Sequence, residues 1–262
     1  MSRRPGCDAT PAPTRRRPGK ERLDALLVAR GLAGTRAKAQ ALLLAGHVFS
    51  GERRLEKPGM QVDRDLPLSL RGKAHPWVSR GGVKLDHALA RFRIDPQGLV
   101  ALDIGASTGG FTHVLCERGA SRVYAVDVGY GQLDSRLRSD PRVRVLERTN
   151  ARYLTQAHVP EPVDLVVCDA SFIGLRTILP APLALAGPGA RLVALIKPQF
   201  EAGRGRVGKG GIVRDPAVRE EVCSTIRDWL TAEGWPVTGL VESPIKGRDG
   251  NTEFLIAARR RP

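Results

Sequence analysis

Long apolar runs are missing from this chain: no stretch approaches the roughly 18 apolar residues that a bilayer-spanning helix needs. The first residues contain arginines with no apolar segment behind them, so they do not read as a secretory signal. Histidine is scarce, with five in 262 residues and none at H-x-x-x-H or H-E-x-x-H spacing, so no metal site is expected. The four cysteines (Cys7, Cys116, Cys168, Cys223) stand far apart without a C-x-x-C and read as reduced, inert thiols of a cytoplasmic protein. Aromatic residues make up only 5%, too few for a broad base-stacking surface. Acid is short as well: 42 Lys and Arg face 27 Asp and Glu, a net charge of +15. That excess favours a polyanionic partner gripped mainly through its phosphates.

What is present divides by composition. Residues 1–20 hold six basic side chains, four prolines, one acid and almost nothing apolar. Such a segment cannot build a core, and it reads either as a solubilising tail or as an arm that adds RNA affinity. A first module follows over 21–72. Leu23, Leu26, Leu27 and Ala29 keep helical spacing up to Gly31, Thr35 caps a second helix closed by Gly46, and short strand-like pieces run from Val48 to about Leu70. Residues 73–80 read as a linker, because His75 precedes a proline and is pushed out of the helical region. Trp77 and Val78 are expected to dock it. The larger domain, 81–262, opens on a helix with Val83, Leu85, Leu89 and Phe92 available for burial. Lys84 sits in its first turn, where a cation opposes the helix dipole, and position alone predicts an exposed side chain.

The larger domain is organised around L-V-A-L-D-I-G-A-S-T-G-G, Leu99 to Gly110. An apolar strand ends in Asp103 and Ile104, breaks into glycines, and opens a helix with Phe111, Val114 and Leu115. The turn departs from the dinucleotide pattern G-x-G-x-x-G by carrying Ser107. Asp103 would repel a pyrophosphate but suits the cationic amino group and sulfonium of S-adenosylmethionine. Candidate cofactor contacts are Asp103, Gly105, Ala106, Ser107 and Gly109. Further strands are expected at 122–127, 142–146, 163–168 and 190–196, then an antiparallel pair at 236–242 and 253–259 after a helix around 215–233. Near-continuous apolar strands are buried on both faces. The fold expected is therefore α/β: a Rossmann-like, mostly parallel sheet with an antiparallel last strand, plus the small N-terminal α+β module.

Right-handed crossovers make the first and fourth of these strands neighbours, so polar residues at strand ends converge on one cleft. Asp127 is placed to accept both hydroxyls of a cofactor ribose, Asn150 to read the adenine edge, Asp169 over the cofactor and the Phe172 ring against it. Lys197 ends the fifth strand, and Glu253 lies in the terminal hairpin. No histidine base is available. A lysine serves as general base only where burial or a second cation favours its neutral form; Lys84 would supply that second charge, with Asp169 and Glu253 holding the two ammonium groups. The cleft lacks the Asn/Asp-Pro-Pro-Tyr/Phe wording often used for methylating base amino groups, and Cys168 is expected to point into the sheet. A hydroxyl on a polyanion means the ribose 2′-OH, which also separates RNA from DNA. The loop from Gly203 to Lys209 fits G-x-x-x-x-G-K, but Gly210 stands where a nucleotide-binding loop has Ser or Thr. Arg204, Arg206, Lys209 and, just beyond, Arg214 suit RNA phosphates, the alternative being a merely mobile solvated loop.

Two resemblances sharpen this reading. R-L-D-A-L-L-V-A-R-G-L-A-G-T-R-A-K-A-Q-A-L-L-L-A-G-H-V-F-S-G resembles the RNA-binding domain named after ribosomal small-subunit protein four, which implies a basic face of Arg22, Arg36 and Lys38 with Lys57 nearby. With eight basic and six acidic residues over 21–70, such a face must work by placement rather than by net charge. S-R-G-G-V-K-L, L-D-I-G-A-S-T-G-G-F-T, V-D-V-G-Y-G-Q-L, E-R-T-N-A-R, C-D-A-S-F-I, I-K-P-Q-F-E and G-N-T-E-F together resemble the TlyA family, ribosomal RNA 2′-O-methyltransferases with an FtsJ-like domain, also labelled haemolysins. The resemblance implies a Lys-Asp-Lys-Glu tetrad on Lys84, Asp169, Lys197 and Glu253, and cytidine targets in both 16S and 23S RNA. Arg80 is a further candidate RNA contact. The family's R-x-W-V wording reads His75-Pro76-Trp77-Val78 here. Competing readings are a non-catalytic ribosome-binding or assembly factor and a membrane-active haemolysin, the latter disfavoured by the missing apolar segments. A nicotinamide-dependent dehydrogenase comes last, because of the broken glycine pattern.

Overall fold

The computed structural model describes residues 19–70, 75–208, 210–247 and 250–261. It divides into two compact units, Met1–Ala74 and His75–Pro262. The N-terminal tail lies outside the described residues except at its last two positions.

The first unit begins with β1 (Lys20–Arg22), then α1 (Leu23–Ala29), α2 (Arg36–Leu44), β2 (Val48–Ser50), β3 (Arg53–Leu55), β4 (Gln61–Asp63) and β5 (Ser69–Leu70). Leu23, Leu27, Leu43 and Val48 are fully buried and form its small core. The Thr35 hydroxyl accepts the Lys38 N–H and starts α2 as expected. β1 escapes a reading of the sequence, since K-E-R has no apolar alternation; it exists because it pairs antiparallel with β4. The remaining strands form a sheet of order β3-β2-β5.

The second unit runs α3 (Gly81–Phe92), β6 (Val100–Ile104), α4 (Gly110–Glu117), β7 (Arg122–Val126), α5 (Ser135–Arg138), β8 (Val143–Leu146), β9 (Val163–Cys168), α6 (Leu175–Ile178), α7 (Pro180–Ala184), β10 (Ala186–Ile196), α8 (Pro198–Glu201), α9 (Pro216–Ala232), β11 (Val237–Glu242) and β12 (Phe254–Arg259). Its seven strands form one sheet of order β11-β12-β10-β9-β6-β7-β8. All are parallel but β12, which is antiparallel to both β10 and β11. The expected strands agree with these to within one residue, β10 excepted. That strand starts at Ala186, not 190, because Ala186 pairs with Val163 ahead of a register shift at Gly187-Pro188-Gly189, where the apolar pattern is interrupted. Separate apolar clusters cover the two faces, as the continuous apolar strands require. Cys168 is fully buried in one of them.

The segment before α3 docks on the same unit. The Trp77 ring meets His113 edge-on at 5.5 Å, and the Val78 N–H donates to His113 Nδ1 at 3.2 Å. Gly82 makes room for this: a Cβ there would stand 2.4 Å from Trp77 Cβ and Cγ. In an open helix Gly→Ala gains up to about 1 kcal/mol, but here the methyl must displace a ring. Gly82→Ala is expected to destabilise the protein by about 1–3 kcal/mol, as overpacking does, and to shift tryptophan emission. Thermal unfolding with fluorescence checks this; a raised midpoint would contradict the packing.

Candidate active site

β6 delivers Asp103 and Ile104 to the sheet's C-terminal edge, where the chain reverses through Gly105 at φ +82° and Gly109 at φ +93°. A Cβ on Gly105 would lie 3.1 Å from the Asp169 carbonyl oxygen and from Ala170 Cα, so a side chain would wedge apart the ends of β6 and β9. Ser107 is left-handed too, at φ +49°. Asp127, just past β7, holds this turn: Oδ2 accepts the Ser107 N–H at 2.8 Å and Oδ1 the Gly129 N–H at 2.7 Å. A shallow cavity here is lined by Ala106, Ser107, Asp127, Gln132, Leu133 and Glu147. Asn150 is half-buried, its Oδ1 accepting the Arg152 N–H at 3.1 Å to cap a 3₁₀ turn over Ala151–Tyr153. Phe172 is 91% exposed, left-handed at φ +66°, and its nearest ring is Phe200 at 5.2 Å.

Asp103 is fully buried. The Thr112 hydroxyl donates to Oδ2 at 2.6 Å, whereas Oδ1 has no hydrogen-bond partner among the described residues. Burial pushes this carboxyl up to about 7, against the Thr112 hydrogen bond and with help from the negative charges of Asp169 and Asp127. A buried acceptor with a spare oxygen beside a glycine turn fits a cationic ligand.

On the other side of the β6–β9 junction four charged groups meet. Lys84 comes from the first turn of α3, Asp169 and Lys197 follow β9 and β10, and Glu253 precedes β12. Lys84 Nζ donates to Glu253 Oε2 at 2.7 Å and lies 3.7 Å from Asp169 Oδ2. Lys197 Nζ lies 2.6 Å from Asp169 Oδ1 and donates to Ser171 Oγ at 2.9 Å. Lys84, Lys197 and Glu253 are all buried. The exposed position expected for Lys84 from its place in the helix is thus overturned: two carboxylates from distant chain segments outweigh an unfavourable dipole. Sequence reasoning missed Ser171; only its place two residues past Asp169 hinted at it. Asn251, 1% exposed, clasps the glycine-rich loop, accepting the Val213 N–H at 3.0 Å and donating to the Gly211 carbonyl at 2.9 Å.

The basic residues fall out differently. Asp24, fully buried, gathers Arg22 at 3.0 Å, Arg36 at 3.1 Å and Gln40 at 3.0 Å. The Arg22 hydrogen bond above all holds this carboxyl well below the usual range. Lys38 and Lys57 are exposed. In the second unit Arg80 donates to the Lys246 carbonyl at 2.9 Å, and Arg206 is engaged by Glu221 at 2.6 Å and the Ala202 carbonyl at 3.0 Å. Lys209 and the Arg204 side chain lie outside the described residues. Among the described residues no three His, Cys, Asp or Glu side chains group as metal ligands would, and no helix is long and apolar enough to cross a membrane.

A seven-stranded sheet with one reversed strand, a glycine turn after its central strand and acidic residues at the strand ends defines a Rossmann-like methyltransferase domain. The model of the FtsJ-like methyltransferases matches residues 77–260, and that of the S4 domain matches 21–68. The 16S/23S rRNA (cytidine-2′-O)-methyltransferase TlyA of Mycobacterium tuberculosis is 47% identical over 92% of this chain and 90% of its own. Hemolysin A of Brachyspira hyodysenteriae is 39% identical over 89% of this chain and 98% of its own. A solved structure of a hemolysin-named protein from Streptococcus thermophilus superposes with a TM-score of 0.73 at 43% identity, covering 93% of this chain and 89% of that one. The chain belongs to the TlyA family of FtsJ-like methyltransferases.

The Asp103 carboxyl gives a pH test. Its value is raised in the folded state, so the native protein holds this proton more tightly than the unfolded chain does. Its effect on stability is therefore an erosion that sets in above about pH 4 and is complete by about pH 7. Asp103→Asn is expected to remove that component; urea unfolding across the interval checks it, and an unchanged slope would contradict the burial argument.

Proposed function

We propose that this protein methylates the ribose 2′-hydroxyl of cytidine in 16S and 23S ribosomal RNA, with S-adenosylmethionine as donor, in the cytoplasm. The observation that carries the reading is the cluster of buried Lys84, Lys197 and Glu253 around half-buried Asp169, beside the glycine turn. Asp103, Gly105, Ala106, Ser107, Gly109, Asp127 and Asn150 would hold the donor, with Asp169 and Phe172 at its methyl end. When bound, it supplies a methyl carbon already activated by a sulfonium.

The side chains then have separate tasks. Lys197 Nζ, entering the step as the free amine, takes the proton of the 2′-hydroxyl and becomes the ammonium beside Asp169. Asp169 fixes the direction of that amine, and Lys84 adds a positive charge that is itself held by Glu253. With the methyl group already activated, most of the acceleration comes from alignment. RNA is gripped by Arg22, Arg36, Lys38 and Lys57 over 21–72, by Arg80 at the end of the 73–80 linker, and by Arg204, Arg206 and Lys209 over 81–262.

Lys197→Ala is expected to abolish tritiated methyl transfer to ribosomal RNA while leaving S-adenosylhomocysteine affinity nearly unchanged. Loss of cofactor binding with transfer retained in the bound fraction would refute the base assignment. Arg36→Ala is expected to weaken RNA binding about tenfold and to lower the slope of log K against log salt by about one. Filter binding at several salt concentrations checks this; an unaltered slope would remove Arg36 from the phosphate contacts.

A further inference from the structure

Two loops carry the partners of the charged cluster. One runs from Asp169 to Gly174 past β9; the other is the single turn of α8, which begins directly after Lys197. Glu201 closes that turn and reaches back to the first loop. Its Oε1 accepts the Leu175 N–H at 2.7 Å. Gly174 precedes α6 without any side chain to cap it, so the capping acceptor comes from Glu201, 26 residues beyond Leu175. Space at this joint is tight: a Cβ on Gly174 would stand 2.9 Å from Glu201 Oε2. Between the two anchors the loop carries Ser171 on Lys197, and Phe172, whose left-handed backbone is one that a bulky residue adopts only when its surroundings hold it.

We propose that Glu201 is a positioning residue of the transfer reaction: by pinning Leu175 it keeps Asp169 and Ser171 against Lys197 and so aims the lysine amine. The inference deepens the reading of Lys197 as the base and rests on it. Glu201 touches neither Lys197 nor Asp169 in any hydrogen bond or ion pair among the described residues; its influence passes through the backbone from 169 to 175. Desolvation raises its carboxyl above the ordinary value, opposed by the Leu175 N–H and the Arg176 charge, as befits a group kept for its acceptor oxygen. A glutamine supplies the same acceptor; an alanine does not.

Steady-state methyl transfer to ribosomal RNA tests this with Glu201→Ala, Glu201→Gln, Gly174→Ala and Lys197→Ala side by side. Glu201→Ala is expected to lower kcat by about tenfold or more, with both KM values within about threefold of the parent. Glu201→Gln should restore kcat to within about threefold. Gly174→Ala, whose backbone at φ −79° and ψ 151° suits alanine, should lower kcat by crowding the Glu201 carboxylate; it also serves if Glu201→Ala does not fold. Parental kcat in both Glu201→Ala and Gly174→Ala, or a Glu201→Gln as impaired as Glu201→Ala, would overturn the proposal. If Lys197→Ala is inactive while Glu201→Ala is fully active, only Glu201 loses its role. If Lys197→Ala is active, it is the base reading that fails.

Discussion

Asp169 lies between two buried ammonium groups, 2.6 Å from Lys197 and 3.7 Å from Lys84, and Glu253 balances the second of them at 2.7 Å. Taking any one of these charges out of water costs several kcal/mol unless it is paired and hydrogen-bonded. With both lysines protonated, they form a neutral set of two cations and two anions. Removing one member leaves its neighbour buried and uncompensated, which binds the four positions into one unit. The sheet makes that unit affordable: strand order brings the ends of β9 and β10 and the start of β12 to one edge, and α3 lays Lys84 across them.

Asp24 and Asp103, both buried, and the half-buried Asp169 mark three different tasks for the same side chain. Asp24 has two arginines and a glutamine and is held well below the ordinary carboxylate range, so its part is to fix a basic face. Asp103 has one hydroxyl and a spare oxygen and is pushed up to about 7 by burial, so it suits a cation that arrives from outside. Asp169 is ion-paired with two cations of the same unit. Partner count and burial separate these roles where residue type cannot.

Much of the fold was legible because it rests on patterns the chain must repeat. Strands covered on both faces read as unbroken apolar runs, and the caps at Thr35, Gly31 and Gly46 mark helix ends by local chemistry alone. β1 and the early start of β10 were not legible, since each depends on a partner strand rather than on its own residues. The candidate site was legible as strand-end residues, but their burial was not. Lys84 looked solvent-facing until Glu253, 169 residues away, was seen to reach it. Ser171 and Glu201 carry no pattern at all; they matter through contacts that exist only once β9 and β10 lie side by side.

The most direct measurement is the single-turnover rate of methyl transfer to ribosomal RNA by Asp169→Asn, with the products digested to nucleosides. The substitution keeps the shape of the side chain and removes the anion between the lysines. The account predicts a folded but less stable protein, retained RNA binding and no 2′-O-methylcytidine. Formation of 2′-O-methylcytidine at the parental rate would contradict it.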